Sequence, residues 1–364
     1  MPDPTPRIDT TPLRIALIAN RRFPVREPFA GGLEAHTWQL ATGLRRFGHH
    51  VTVFAGAGSD SRLDARRFGG GEPVLSAAAR ADVSAAPEEA MADHHAYLST
   101  MLDLAADRGR TYDVVHNSSI HHLPLAMAPA VRAAQVTTLH TPPTPWMEMA
   151  VRTSPDPLPV RFCAVSRHTA EAWRPTLAAD VVTNAVDLDR WPVGPGGEDA
   201  VWSGRIVPEK GLHVAIDACR AAGVHLRIAG PRHDPGYWDD EIAPRLGPGV
   251  EWVGHLAQRE LAALVGRSGV AVVSPLWDEP FGLVALEALA CGTPVAALGR
   301  GGLVEILDAT CSRLADGVDD LADAVTAARR LDRAAARTRA ERIGSVDRMV
   351  GEYVRTYREL LAAA

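Results

Sequence analysis

Lysine is almost absent from this 364-residue chain: of its 38 basic side chains, 37 are arginine and only Lys210 is a lysine. Where basic positions take arginine by default, a lone compact ammonium marks a place that a planar guanidinium would not serve. Cysteine is scarce too. Cys163, Cys219, Cys291 and Cys311 form no C-x-x-C pair, which excludes a disulfide framework or zinc ribbon and leaves four small buried hydrophobes. No apolar run approaches the roughly 20 residues that span a bilayer, and the longest, such as Leu13 to Ala19 and Val270 to Val273, are strand-sized. The opening MPDPTPRIDTTP has neither the cationic start nor the apolar core of a signal peptide, so a cytoplasmic location is expected. Positive charge is not in excess either: 38 basic residues against 44 acidic give a net charge of −6, which disfavours a nucleic-acid partner.

The chain does have length and a regular rhythm. At about 150 residues per domain it makes two, and 46% hydrophobic with 23% charged residues is ordinary globular composition. Leu13 to Asn20 reads as a buried strand, Gly31-Gly32 opens a helical stretch ending at Gly48, and His50 to Gly56 restarts as a strand, together a βαβ unit. Further strands are predicted at Tyr112 to His116, Gln135 to His140, Arg161 to Ser166 and Asp180 to Val186. Residues 57–90 carry too weak a period to assign. DLDRWPVGPGGED, Asp187 to Asp199, concentrates proline, glycine and acid as a linker does. A second βα series follows: strands Ala200–Ile206, His225–Ala229, Val250–Gly254, Val270–Ser274 and Pro294–Leu298, with helices Leu212–Ala222, Gln258–Gly266 and Leu283–Cys291. The expected fold class is α/β, two Rossmann-like doubly wound parallel sheets facing a central cleft, with domains at 1–187 and 188–344. The segment 345–364 places Val346, Met349, Val350, Tyr353, Tyr357, Leu360 and Leu361 at helical spacing and should pack one face.

Three stretches carry chemistry. Gly31 and Gly32 precede a helix, where unpaired N–H donors can meet an anion, although Gly-Gly is also simple turn punctuation. The full G-x-G-x-x-G fingerprint is missing, which disfavours a nicotinamide oxidoreductase. In Ser203 to Gly211 (SGRIVPEKG) Arg205 and the only lysine, Lys210, share one strand-to-helix loop, so two cations can converge on a diphosphate; a solvated charged loop is the plainer reading. In Asp278 to Val295 (DEPFGLVALEALACGTPV), Glu279 ends a loop, Gly282 allows close approach to backbone, and Glu287 lies within the helix that follows, taken to open at Phe281. A carboxylate so placed can accept from two neighbouring hydroxyls, as a ribose presents them; the alternatives are a helix-dipole acid at Glu279 and a satisfied core acid at Glu287.

GGLEAH at Gly31, SGRIVPEKG at Ser203 and EPFGLVALEALACGTPV at Glu279 together closely resemble the family 4 retaining glycosyltransferases of the two-lobed GT-B fold. The resemblance runs in order over nearly the whole chain. It implies that the second lobe binds a nucleotide sugar and that the C-terminal helix, 345–364, crosses back to complete the first lobe. It further implies that Arg205 and Lys210 grip the donor diphosphate, that Gly31 and Gly32 approach it from the first lobe, and that Glu287 holds the ribose. Glu279, with the backbone of Phe281, Gly282 and Leu283, would fix hydroxyls of the transferred sugar, and His140 would stand beside that sugar as a catalytic group. The base would lie against backbone near Gly230, Gly254, His255 and Leu256, and Gly204 would also be among the donor-binding residues. The sequence departs from the family at NAVD, Asn184 to Asp187, and in the loop after His140, TPPTPWMEMAVR, both on the acceptor or hinge side.

The function so implied is a retaining, hexosyl-type transfer from a nucleoside-diphosphate sugar to a hydroxyl on a small molecule or glycan, with UDP-sugar favoured over GDP- or ADP-sugar. The nucleotide sugar is a co-substrate, and no metal or other cofactor is expected. A nucleotide-sugar epimerase of the same fold and a binding module without turnover are the alternatives. Contact with a membrane through the first-lobe arginines Arg21, Arg22, Arg26, Arg45, Arg46, Arg62, Arg66 and Arg67 is the lesser reading beside a solvated surface. Closure of the cleft should hinge at Asp187 to Asp199 and near Gly344.

Overall fold

The computed structural model describes residues 11–71, 73–154 and 157–363. The N-terminal stretch read for targeting signals therefore lies mostly outside the described residues, as does Ala364. Seven parallel strands form the first sheet: β1 (Arg14–Ile18), β2 (His50–Ala55), β3 (Arg66–Arg67), β4 (Val114–Asn117), β5 (Ala134–Leu139), β6 (Arg161–Ala164) and β7 (Asp180–Val181), in the order β3-β2-β1-β4-β5-β6-β7. Six more form the second: β8 (Ala200–Ser203), β9 (Leu226–Ala229), β10 (Val250–Gly254), β11 (Val270–Val273), β12 (Val295–Leu298) and β13 (Ser312–Ala315), in the order β10-β9-β8-β11-β12-β13. Both sheets are apolar because helices cover both faces: Ile15, Leu17 and Ile18, and likewise Val270, Val295 and Ala297, are fully buried. In each sheet the order reverses beside its first strand, between β1 and β4 and between β8 and β11. Loops leaving the carboxyl ends there diverge and open a crevice, the general ligand position in such sheets.

The C-terminal helix Val346–Ala363 belongs to the first lobe by packing. Val346, Met349, Val350, Tyr353 and Tyr357 join the core made by β1, β2 and the Gly32–Arg46 helix. Its two tyrosines also reach buried polar groups: Tyr357 Oη lies 2.5 Å from His116 Nδ1, and Tyr353 Oη lies 2.8 Å from Thr138 Oγ1, which in turn sits 2.8 Å from His116 Nε2. Leu361, expected on the buried face, is exposed at the helix end.

The predicted strand Asp180 to Val186 is shorter than expected. It pairs only over Asp180–Val181, and Val186 instead bridges to Ser345 and donates to Gly344 O at 2.8 Å. The two crossings between lobes therefore lie side by side. The stretch Asp187 to Asp199, expected as a linker, packs as part of the second lobe. Trp191 is buried, and a Cβ on Gly194 or Gly197 would stand 2.2 Å from Gly266 O or 2.3 Å from Arg267 O. Its glycines serve close approach rather than freedom. Within the unassigned 57–90 region only short elements form, before a long helix, Glu88–Asp107. All four cysteines are free and buried. Several first-lobe arginines are engaged within the protein, Arg21 with Asp93, Arg46 with Asp347 and Arg62 with Asp60. No helix among the described residues is long and apolar enough to cross a membrane.

The C-terminal helix lies so close to the Gly32–Arg46 helix that a Cβ on Gly43 would meet Val350 Cγ2 at 2.7 Å and Val346 Cγ1 at 2.9 Å. Gly43→Val should therefore cost about 1–3 kcal/mol through overpacking, read as a lowered melting temperature. An unchanged melt would show that this seam does not hold the helix.

Candidate functional site between the lobes

Two adjoining cavities, of about 180 and about 210 Å³, lie where the two crevices face each other. The first is walled on the second-lobe side by the carboxyl ends of β8 and β9 and the loop after β10. Gly204 and Gly230 have φ of +150° and +152°, and a Cβ on Gly230 would lie 1.8 Å from Gly204 O. No other residue fits there. Gly204, Arg205, Gly230, His255 and Leu256 line this cavity, facing Phe29, Gly31, Gly32 and Ala35 of the first lobe. Gly254 does not line it. Its carbonyl accepts from Gly230 N–H at 2.9 Å, so it supports the wall from behind. His255 Nε2 reaches Phe29 O across the cleft at 3.0 Å.

Glu287 lies at the base of this cavity with no hydrogen-bond partner, and burial pushes its carboxyl up to about 8. Its helix opens at Leu283, as the predicted span Leu283–Cys291 has it, and two residues after the start at Phe281. Gly282, at φ +94°, is the cap and Leu283 the first helical residue, because a Cβ on Gly282 would stand 2.2 Å from Leu303 Cδ2. Phe281 thus sits before the helix with its ring buried in the core, and the free N–H groups of the first turn begin at Leu283.

The second cavity draws from both lobes: Gly31, Gly32, Glu34 and His140 on one side, Arg205, Lys210, Glu279, Phe281, Gly282 and Leu283 on the other. Arg205 lines both cavities and forms no ion pair. Lys210 does not stand free as two converging cations would require. Its Nζ lies 2.9 and 2.6 Å from the two Glu279 oxygens, and Trp277 Nε1 donates to the same carboxylate at 3.1 Å. The residue expected on the diphosphate and the one expected on the transferred sugar are thus one ion pair. The lobes are closed on one another: a Cβ on Gly31 would be 3.7 Å from Arg205 Nε, and one on Gly32 would be 3.8 Å from Leu283. Glu305 of the second lobe further accepts from Arg167 N–H and His168 N–H at 3.0 and 2.7 Å.

His140 Nε2 lies 3.0 Å from Ser118 Oγ, and the ring meets His36 edge-on at 4.8 Å. Burial, then the neighbouring His36 and His116, holds its pKa well below the ordinary histidine value, so the ring is neutral at pH 7. A neutral imidazole can orient a hydroxyl but brings no charge.

Three participants had escaped the sequence reading. Glu34 stands inside GGLEAH, buried at the helix start, with its carboxyl raised to about 7 by burial despite Arg205 nearby. Its place in that motif was the available signal. Asn184, in the NAVD segment, and Trp191, in the supposed linker, line the second and first cavities respectively. Among the described residues no group of three or more His, Cys, Asp or Glu is placed to hold a metal ion.

Glu34 and Glu287 hold protons in the fold that the unfolded chain releases near pH 4.5. From there to about pH 8 the native state binds more protons, so stability falls as pH rises. Glu287→Gln should remove much of that slope, raising the melting temperature of the ligand-free protein more at about pH 8.5 than at about pH 5. A gain independent of pH would contradict the burial of this carboxyl.

Two family models match the chain in succession: Glycosyltransferase Family 4 over residues 30–190 and Glycosyl transferases group 1 over residues 189–340. Glycogen synthase of Mycobacterium tuberculosis is 30% identical over 334 residues, 80% of each chain. D-inositol 3-phosphate glycosyltransferase of Mycolicibacterium smegmatis is 29% identical over 374 residues, covering 87% of this chain and 83% of that one. Among solved structures, Anabaena HepE in complex with UDP-glucose superposes with a TM-score of 0.72 at 17% identity, over 97% of this chain and 100% of that one.

Proposed function

The chain is a glycosyltransferase of family 4 with the GT-B fold, and from that premise we propose that it moves a sugar from a nucleoside diphosphate, UDP-linked by preference, to a hydroxyl with retention of configuration and without a metal ion. The observation that carries this is the composition of the cleft. One cavity offers glycine-edged backbone and an unpartnered carboxyl, Glu287, on the scale of a nucleoside; the other offers Arg205 and the Lys210–Glu279 pair beside His140. HepE, solved with UDP-glucose, supports UDP as the carrier.

In this reading the base lies along Gly204, Gly230, His255 and Leu256, and the ribose hydroxyls hydrogen-bond to Glu287. The diphosphate meets Arg205 and the free donor of Lys210, with the Gly31-Gly32 backbone closing over it. As the bond from the anomeric carbon to the phosphate oxygen breaks, charge grows on the departing diphosphate, and those cations stabilise it in place of a metal. Glu279 then holds sugar hydroxyls while remaining Lys210's counter-ion. Two carboxyl groups face the sugar side, but Glu34 is half protonated near pH 7 and Glu279 is bound to Lys210. Neither is free as the nucleophile that a double displacement needs. A front-face reaction follows, in which the departing phosphate oxygen takes the acceptor's proton and neutral His140 orients the sugar.

Lys210→Ala should lower kcat by about a hundredfold or more while leaving the melting temperature near wild type, the typical effect of losing one positioned donor. Lys210→Arg should restore only part of the rate, since the guanidinium is planar and bulkier. Wild-type turnover in the alanine variant would remove Lys210 from the mechanism.

The two glutamates separate by ligand. Glu287→Gln should weaken bare UDP and UDP-glucose alike, whereas Glu279→Gln should weaken only the sugar-bearing ligand, as calorimetry with both will show. Equal losses would overturn the assignment. Conversion of donor alone into a second nucleotide sugar would mark an epimerase instead.

A further inference from the structure

We propose that the first lobe carries an acceptor subsite for an uncharged pyranose, floored by the exposed indole of Trp146 at the end of a four-ring stack beside the His140 cavity. This rests on the transferase reading and specifies its acceptor.

The loops after β4 and β5 leave the carboxyl edge of the first sheet on the cleft side, and Ile120 and Thr141, one from each, line the second cavity. Just beyond them four rings stack face to face. Tyr97 and His121 have centroids 4.1 Å apart at 16°, His121 and His122 4.4 Å at 22°, and His122 and Trp146 5.0 Å at 27°. The inner end is fixed, because Tyr97 is buried and its hydroxyl donates to Ala19 O at 3.2 Å and accepts from Arg21 N–H at 2.9 Å. The outer end is open: Trp146 is 65% exposed, with Met149 one turn along the same helix and Ile120 at the cavity mouth also exposed. The proline-rich TPPTP before Trp146 restricts the backbone, and buried Met147 and Ala150 anchor the helix. A rigid, solvent-facing aromatic plane loses little entropy when a ligand settles on it.

The chemistry of the shelf selects the ligand. Burial holds His121 at about 3 and lowers His122, so both rings are neutral at pH 7. Of the nearby arginines Arg21 pairs with Asp93 and Arg152 with Glu148, while Arg22 lines the second cavity without an ion pair among the described residues. An apolar plane edged by neutral imidazoles fits the C–H face of a pyranose, with its hydroxyls at the ring edge meeting donors and acceptors. The stacked rings themselves offer no counter-charge for a phosphate or an anionic lipid surface; Arg22, in the adjoining cavity, is the cation an anion would need. A pyranose on Trp146 would sit next to the segment that carries Ile120 into the His140 cavity, since His121 and His122 follow Ile120 directly.

The test uses the whole protein loaded with UDP and measures binding of maltotriose, and of glucose 6-phosphate as the anionic comparison, by calorimetry and saturation-transfer NMR. Maltotriose should bind, Trp146→Ala should weaken it about tenfold or more, Trp146→Phe should stay within about threefold, and UDP affinity should not move. The exposed position makes a folding defect unexpected, which a melting curve checks. The subsite is overturned if UDP-loaded protein does not bind maltotriose or binds it equally without Trp146. It is also overturned if glucose 6-phosphate binds better in a manner that needs Arg22 and ignores Trp146. Failure of UDP itself to bind would instead defeat the UDP-donor reading, and with it the subsite that rests on that reading.

Discussion

The contact of the Gly31-Gly32 turn with Arg205 and with Leu283 at its helix start is the one on which the site depends. Each lobe ends in a crevice that holds only part of the chemistry, and the crevices become two cavities because no side chain projects between them at this turn. The same need for bare backbone recurs on the second-lobe wall, where Gly230 presses on Gly204, and beneath it at Gly282 against Leu303. Close approach of backbone, rather than any single hydrogen bond, is the recurring device.

Closure has to be reversible for a ligand to enter, and the structure places the means beside the site. The chain crosses between lobes at Val186 and returns at Ser345, and these two residues bridge each other. A pair of adjacent crossings lets one lobe rotate against the other while the C-terminal helix stays fixed in the first lobe through Tyr353 and Tyr357. The segment from Asp187 onward is packed into the second lobe through Trp191 and the glycines after it, which leaves the crossings themselves as the places where the lobes can turn.

The cleft sets two buried carboxyls beside two cations of the second lobe. Desolvation raises both carboxyls, Glu287 to about 8 and Glu34 to about 7, while Arg205 makes no ion pair among the described residues and Lys210 is paired with Glu279. A ligand bringing hydroxyls to Glu287 and negative charge to Arg205 satisfies both at once. His140 stays uncharged, which confines it to orienting rather than stabilising charge.

Much of this was legible in the sequence where the physical cause is local. Alternating apolar runs and glycine turns dictate parallel strands and helices, and motif spacing put Arg205, Lys210 and Glu279 in loops that follow strands, Gly31 before a helix and Glu287 within one, where the structure has them. Local patterns could not tell whether a Pro/Gly-rich stretch is loose or packed: Asp187 to Asp199 is packed because Gly266 and Arg267 lie against it, a fact of tertiary neighbours alone. Nor could spacing show that Lys210 pairs with Glu279, 69 residues away, that Glu34 faces the cavity, or that Tyr97, His121, His122 and Trp146 stack. Sequence fixes what each strand end carries through short-range sterics and periodicity. Which ends face each other, and which charges are thereby paired, buried or left free, is decided only when two sheets close over one cleft.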